Sequence, residues 1–430
     1  MPDAMIVEVP AGRLRGQANG GVLTFRNVPY ARAPRFRPPE PAAPWSDERD
    51  AVGRGPICPQ LPERLAFATG GVPTKMVRSE DCLNLSITTP TLAGRRPVMV
   101  WIHGGAYMSG GGETPRYDAR KIAAECGVVV VAVTYRLGVF GYLWQDDPGR
   151  RNLGLLDQLA ALDWVAANID RFGGDPDNIT AVGQSAGGHS IVAMLQARAQ
   201  ALPFRRAILQ SAPIAARIAA EDAARLADAF HEALGQDAER ADVALILAAQ
   251  AQALAAQPPS GLPMGPVLEP APAPRRGLDV IAGWARDDGS PFVALRKGLS
   301  EPGNWFGDEG AGASTTAFTR AAFAEPAAAF AAATPDDAKT YLYRLELRPE
   351  GSPFGACHCL DLPLLFGEEA DWRGAGMLGT EPWANLERVG HRVRASWGAF
   401  ATSGDPSTDD GWDWRPYGSG TAGEITSIDR

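Results

Sequence analysis

The chain has 430 residues, 45% of them apolar and 21% charged, with a formal net charge of −9. That length can bury a sizeable core, and the composition is ordinary for a globular protein. The acidic balance, with no dense run of Lys and Arg, argues against nucleic acid or an anionic membrane surface as a partner.

The first residues, MPDAMIVEVP, hold no basic stretch leading into a long apolar run. The longest aliphatic stretch, Val128 to Val133, is too short to span a bilayer, so a cytoplasmic location is expected. The five cysteines, Cys58, Cys82, Cys126, Cys357 and Cys359, are too sparse for a disulfide scaffold. With no CxxC pair and only five histidines, a structural zinc site is not expected.

In chain order, residues 97–102 (PVMVWI) and 128–135 (VVVVAVTY) read as central strands buried on both faces. A helical pattern runs between them over 115–126. Residues 155–169 repeat apolar positions at three and four and read as an amphipathic helix. A strand at 178–182, a helix at 186–197 and a strand at 206–210 follow. This alternation predicts an α/β fold, a mostly parallel sheet flanked by helices. The Ala-rich stretch 213–256 reads as helices capping the sheet, and 258–276, with its seven prolines, as loop. Strand patterns return at 278–284 and 340–347, and 298–316, rich in Gly, Ser and Pro, reads as loop. One catalytic domain over 1–430 is expected, with cap or insert segments around 213–276 and 298–335.

The strongest local signal is Gly183-Gln184-Ser185-Ala186-Gly187. The pentapeptide recurs by chance, but here it follows a strand and opens a helix. The turn that joins them is tight, and its glycines let strand and helix approach without a Cβ clash. That turn would lift the Ser185 hydroxyl above the sheet, where a serine of ordinary role would merely cap the helix. A second signal, His103-Gly104-Gly105-Ala106, directly follows the strand at 97–102. Acyl transfer creates an oxyanion that needs donors already in place, and glycines let backbone N–H groups turn toward it. Gly104, Gly105 and Ala186 are the expected donors.

With these residues in view, the sequence closely resembles the type B carboxylesterase and cholinesterase family, of the bacterial carboxylesterase or para-nitrobenzyl esterase type. Further blocks carry the resemblance along nearly the whole chain. They include Asn27 to Ala31, Phe36 to Pro39, Glu80 to Leu85, Tyr135 to Gly138, Phe172 to Pro176 and Phe204 to Ser211. The resemblance implies the α/β-hydrolase fold with a small helical cap, and Ser185 as nucleophile. It places the acid at Asp288, within Gly283-Trp284-Ala285-Arg286-Asp287-Asp288-Gly289, and the base at His358, ahead of Asp361, Leu362, Pro363, Phe366 and Gly367. Three departures stand out. Most members carry Glu where this chain has Asp288, which shortens the reach by about 1.5 Å. The chain is shorter between Tyr30 and Phe36 and between Phe292 and Tyr341, which predicts a more open rim. The family often bridges cysteines matching Cys58 and Cys82, a bond that a reducing cytoplasm would disfavour.

The residues by themselves lead to the same triad. A nucleophile needs a base, and the base an orienting acid. Of the histidines, His103 belongs to the Gly-rich loop, His189 points along its helix away from the turn, and His231 and His391 read as surface residues. His358 follows a strand and obeys the order serine, acid, histidine. Its neighbours Cys357 and Cys359 read as two half-buried small residues. Asp288 ends a strand pattern, and Asp287 would project to the opposite side. Glu309, in Gly307-Asp308-Glu309-Gly310, is the competing acid.

The expected chemistry is hydrolysis of a small-molecule carboxylic ester through an acyl-enzyme, which needs neither metal nor organic cofactor. An acyltransferase or cyclase would share every motif, and a non-catalytic binding homologue would share the fold. A true lipase would need a large apolar lid where this chain is short. Tyr107, Met108, Trp284 and Phe140 either line the substrate pocket, favouring apolar acyl or aryl groups, or pack in the core. Oligomeric state leaves no mark in the sequence.

Overall fold

The computed structural model describes residues 5–197, 202–257, 262–268, 274, 276–298, 309–409, 412–418 and 425–429. Eleven strands form the main path of one sheet. They are β1 (Met5–Val9), β2 (Gly12–Asn19), β3 (Val22–Pro29), β4 (Asn84–Thr89), β5 (Arg96–Ile102) and β6 (Val129–Val133), then β7 (Gly174–Gln184), β8 (Arg206–Gln210), β9 (Asp279–Ala285), β10 (Thr340–Leu345) and β11 (Ile425–Ile428). Their spatial order is β1-β2-β3-β4-β6-β5-β7-β8-β9-β10-β11, and a short strand at Glu48–Asp50 pairs beside β2. The β1 to β4 end is antiparallel, and every pairing from β6 onward along that order is parallel.

The central strands β5, from Pro97, and β6 are apolar without interruption because both their faces are covered. Side chains alternate across the pleat, so each strand feeds two cores at once. Val98, Val100 and Ile102 of β5, with Val129, Val131 and Val133 of β6, enter one core. There they meet Leu155, Leu162 and Val165 of the helix Leu153–Asn168, and Ile191 and Met194 of the helix Ala186–Ala197. Met99 and Trp101 of β5, with Val130 and Ala132 of β6, enter the other. They meet Ile122 of the helix Arg120–Cys126, and Val393, Trp397 and Phe400 of the helix Trp383–Ser403. Full burial of one such large side chain is worth about 1.5–3 kcal/mol.

Several motifs turn out to tie loops together. Arg136 and Asp157 form a buried bidentate pair, at 2.8 and 2.7 Å, and Arg136 also donates to the Arg37 carbonyl at 2.7 Å. Arg35 pairs Glu80 through two nitrogens, at 2.8 and 2.5 Å.

The Ala-rich stretch forms two helices, Ala220–Leu234 and Val243–Ala255, whose buried faces join the first core. The 298–316 loop expectation is partly overturned, since Glu309–Thr319 is helical and residues 299–308 lie outside the described residues. Its alanines, serine and threonines suffice for a helix once the following turns, down to Glu325–Ala332, pack Phe323, Ala327 and Phe330 into the core. Of 258–276, the described parts are non-helical, and the rest lies outside the described residues.

Candidate active site

The parallel strands end on one side of the sheet, and the residues singled out in the sequence gather at those ends. Ser185 is the residue after β7 and adopts φ 54°, a left-handed conformation that costs a non-glycine residue energy. The surroundings leave the turn no alternative. A Cβ on Gly187 would lie 1.9 Å from the Ile102 carbonyl oxygen, and one on Gly183 would lie 2.4 Å from the Gly187 carbonyl carbon. The Ser185 N–H donates to the Gln210 carbonyl at 2.8 Å, which fastens the turn to β8.

The Gly-rich loop lies against this turn. A Cβ on Gly104 would come within 3.2 Å of the Ser185 Cβ, and one on Gly105, at φ 112°, within 2.1 Å of the Ser109 carbonyl oxygen. The ring of His103 is buried and donates from Nδ1 to the Gly104 carbonyl at 2.8 Å. Burial drives its pKa down to about 4, so the ring stays neutral. Tyr135 stacks on that ring at 4.3 Å and donates its hydroxyl to the His103 carbonyl at 2.7 Å. His103 therefore holds the Gly104 carbonyl toward its own buried ring. Ala186 is the first residue of its helix, so its N–H has no intrahelical acceptor.

Asp288 and His358 are brought together. The imidazole Nδ1 donates to Asp288 Oδ1 at 2.5 Å, and both side chains are buried. The other carboxylate oxygen accepts from the Ser211 hydroxyl at 2.7 Å and the Ala285 N–H at 2.9 Å. How the shorter Asp reaches is visible in the backbone. The Asp287 N–H donates to the Ala356 carbonyl at 2.8 Å, and the Ala356 N–H donates to Asp287 Oδ2 at 3.0 Å. These two bonds draw the acid turn against the loop carrying His358. Asp287 itself faces away, in a bidentate pair with Arg348. Glu309 begins a helix, and its side chain lies outside the described residues.

The other face of His358 meets Gln184, whose Nε2 lies 3.3 Å from the imidazole Nε2. An amide nitrogen donates, so Nε2 carries the lone pair and Nδ1 the proton. Phe292 and Phe323 flank the ring, at 4.9 and 5.3 Å, and shield the Asp288 pairing from water. Further along, Asp361 is buried and accepts from Gln210 Nε2 at 2.7 Å. Burial, together with the charge of Asp288, raises its pKa to about 7.

Ser185 and His358 wall one cavity, with Glu63, Arg64, Phe292 and Cys359. Ser185 also walls an apolar pocket of about 290 Å³, with Leu262, Phe292, Phe318, Ala322 and Phe323. Tyr107, Met108 and Trp284 are absent from both walls, which corrects the expectation that they line the pocket. Tyr107 is buried, directs its hydroxyl to His189 Nδ1 at 2.5 Å, and packs on Tyr142. Trp284 falls on the pleat of β9 that faces the core, and Phe140 stacks on Phe36. Sequence reasoning missed the Phe292, Phe318 and Phe323 wall, Gln184 as a partner of His358, and Ser211 as a partner of Asp288. Ser211 closes a block already singled out; the three phenylalanines carry no local signal.

The remaining histidines take other places. His189 is buried with Tyr107, burial holding its pKa down at about 4, whereas His231 is exposed and His391 pairs Glu125 at the surface. Cys58 and Cys82 are adjacent buried free thiols, and the nearby Cys58, with burial, pushes the Cys82 thiol up. Cys357 is fully buried rather than half-buried, and Cys359 adopts φ 73° beside the site. Among the described residues, no three His, Cys, Asp or Glu side chains gather as metal ligands would.

The sheet order and the strand-end site are those of the α/β-hydrolase fold. A thermophilic para-nitrobenzyl esterase structure superposes with TM-score 0.83 at 31% identity, covering 99% of this chain and 96% of its own. The carboxylesterase of Geobacillus stearothermophilus gives TM-score 0.80 at 29% identity, with the same coverage. A model of the carboxylesterase family matches residues 3–283. In sequence, the chain is 41% identical to a probable N-octanoylanthranilate hydrolase of Rhodococcus erythropolis, over 94% of each chain. It is 34% identical to the para-nitrobenzyl esterase of Bacillus subtilis, over 94% of this chain and 91% of that one. The chain belongs to the carboxylesterase family and is a carboxylic ester hydrolase. Its substrates are small-molecule esters. Among the described residues, no helix is long and apolar enough to cross a membrane.

Proposed function

We propose that Ser185, His358 and Asp288 carry out ester hydrolysis in two acyl-transfer steps. As the hydroxyl attacks the ester carbonyl, the His358 Nε2 lone pair gives up the Gln184 amide, takes the Ser185 proton, and returns it to the departing alcohol. Asp288 holds the Nδ1–H tautomer and stabilises the imidazolium. The N–H groups of Gly104, Gly105 and Ala186 receive the oxyanion, each worth on the order of a hundred- to a thousand-fold in rate. Water then releases the acid by the same route. The observation that carries this reading is the buried Nδ1 to Oδ1 pair at 2.5 Å, beside a serine held at positive φ in the same cavity.

The acyl group enters the pocket of Leu262, Phe318 and Phe323, whose apolar walls favour an aliphatic or aryl chain. A relative named for an N-octanoyl substrate accords with this. Segments 213–276 and 298–335 supply most of those walls, so they act as cap segments of one catalytic unit over 1–430. The adjacent thiols Cys58 and Cys82 accord with work in a reducing cytoplasm.

The test is a fluorophosphonate probe with a panel of p-nitrophenyl esters. Labelling maps to Ser185, and Ser185→Ala loses both labelling and roughly 10⁴-fold or more of kcat. Labelling elsewhere, or a variant that keeps its activity, overturns the assignment.

A further inference from the structure

The apolar pocket is only one arm of the cleft at Ser185. The cavity walled by Ser185 and His358 shares Glu63, Gly105, Ser109 and Cys359 with an adjoining cavity. That second cavity ends on Arg116, Tyr117 and Trp372. A continuous cleft thus runs from His358, past Glu63, to Arg116. The leaving group must take its proton from His358 Nε2, so it lies in the arm that His358 walls, and the acyl group in the other.

The walls of this arm are mostly apolar, and Glu63 and Arg116 are opposite charges set among them; Arg64, which also walls the first cavity, is exposed to solvent. Glu63 faces the cleft yet is ringed by protein, and Thr69 donates to its Oε1 at 2.8 Å. Burial pushes its carboxyl above the usual range, against the pull of Thr69 and Arg116. Arg116 donates from Nε to the Asp371 carbonyl at 3.0 Å, and its guanidinium lies over the Trp372 ring at 5.0 Å. Burial pushes its pKa down, and Glu63 opposes that. Both charges are fixed before substrate arrives. An apolar leaving group would displace their water and return no hydrogen bond. A charged one would unbalance the pair inside a partly dry cleft. A neutral group with one donor and one acceptor satisfies both, through two charge-assisted bonds.

We propose that Glu63 and Arg116 select an ester whose alcohol carries a neutral hydrogen-bonding group, such as a carboxamide or hydroxyl. This rests on the acyl-transfer reading above. The test compares kcat/KM for hexanoate esters of four alcohols: 1-pentanol, 5-hydroxypentanamide, 5-hydroxypentanoate and 5-hydroxypentyl-trimethylammonium. The carboxamide ester is expected to be roughly tenfold better than the pentyl ester, about one net hydrogen bond, and better than both ionic esters. In Glu63→Gln the guanidinium is unbalanced, and the carboxylate ester overtakes the carboxamide ester. In Arg116→Gln the trimethylammonium ester gains instead. Thermal unfolding checks that each variant is folded, and if one fails the other decides. A pentyl ester as good as the carboxamide ester overturns the proposal, as does one rank order shared by the wild type and the folded variants. Loss of all four activities in Ser185→Ala reports on the acyl-transfer reading alone, so flat ratios at an active Ser185 overturn only the role of this arm.

Discussion

The turn that carries Ser185 and the wall that faces it are built on opposite plans. The turn is backbone against backbone. Glycines at 183, 187 and 104 are where a single methyl group would strike carbonyl oxygens, carbonyl carbons or the serine itself. The wall is side chain against side chain, with Phe292, Phe318 and Phe323 brought from the helices Ser290–Arg296 and Glu309–Thr319 and the turns after them. In such a wall a neighbour can turn aside when one residue changes, whereas a backbone turn has nowhere to go. On the proposed mechanism, reaction and selection of substrate are held by parts with different tolerance.

That contrast is best broken at the acid, where a backbone clamp and a side-chain contact meet. Asp288→Asn keeps the shape but can hold the wrong imidazole tautomer, and kcat should fall about 10⁴-fold, measured on p-nitrophenyl acetate. A loss below tenfold would show that another acid orients His358. Gly187→Ala comes next. With its Cβ 1.9 Å from the Ile102 carbonyl oxygen, it should cost on the order of 3 kcal/mol in urea unfolding and at least a hundredfold in activity. An alanine accepted without loss would mean that the turn yields as the wall does. Phe318→Ala should leave p-nitrophenyl acetate within a few-fold, while moving the best acyl chain to longer or bulkier groups by about tenfold in kcat/KM. An unchanged chain-length profile would remove Phe318 from the wall.

A last effect, on stability rather than activity, concerns pH. His103 and His189, packed behind the turn, have pKa values near 4, against 6.5 for an unfolded histidine. Between those values the unfolded chain takes protons that the native one refuses, so stability falls as pH drops from about 6.5 to 4. Asp361, beyond the loop of His358, works in the opposite sense. Its native pKa is near 7 against 3.8 unfolded, so its burial costs stability as pH rises through that range. Asp361→Asn should therefore be more stable than the wild type at pH 8, by on the order of 2 kcal/mol, with the advantage fading toward pH 5. Thermal unfolding across that range checks it, and a difference that does not vary with pH would count against the titration.

The same two plans explain what could be read from the sequence. The strands at 96–102, 129–133 and 206–210 were legible because apolar residues on both faces leave no other placement. Gly183 to Gly187 and His103 to Ala106 were legible because a backbone constraint writes itself into consecutive letters. The pairing of Asp288 with His358 followed from chain order and resemblance, and its closeness rests on Asp287 and Ala356, which no pattern marks. The wall was not legible. Phe292, Phe318 and Phe323 converge only after the helices dock, and Tyr107 and Trp284, nearer in sequence to the motifs, turn into the core. The helix at Glu309–Thr319 was hidden for a similar reason, since its glycines and threonines favour loop until packing decides.

One further consequence lies in the backbone bonds beyond the strand ends. The Ser185 N–H reaches the Gln210 carbonyl, and the Ser211 N–H reaches the Gly283 carbonyl, each at 2.8 Å. The ladder of β7, β8 and β9 thus continues one rung past the sheet, up to the residue that touches Asp288. Ser185 and Asp288, the proposed nucleophile and acid, ride on a shared frame, so a flexing of the sheet carries them together and changes their separation little. Rim segments can then be exchanged, lengthened or grafted from relatives to retarget the enzyme, with the spacing of its working groups left as it was.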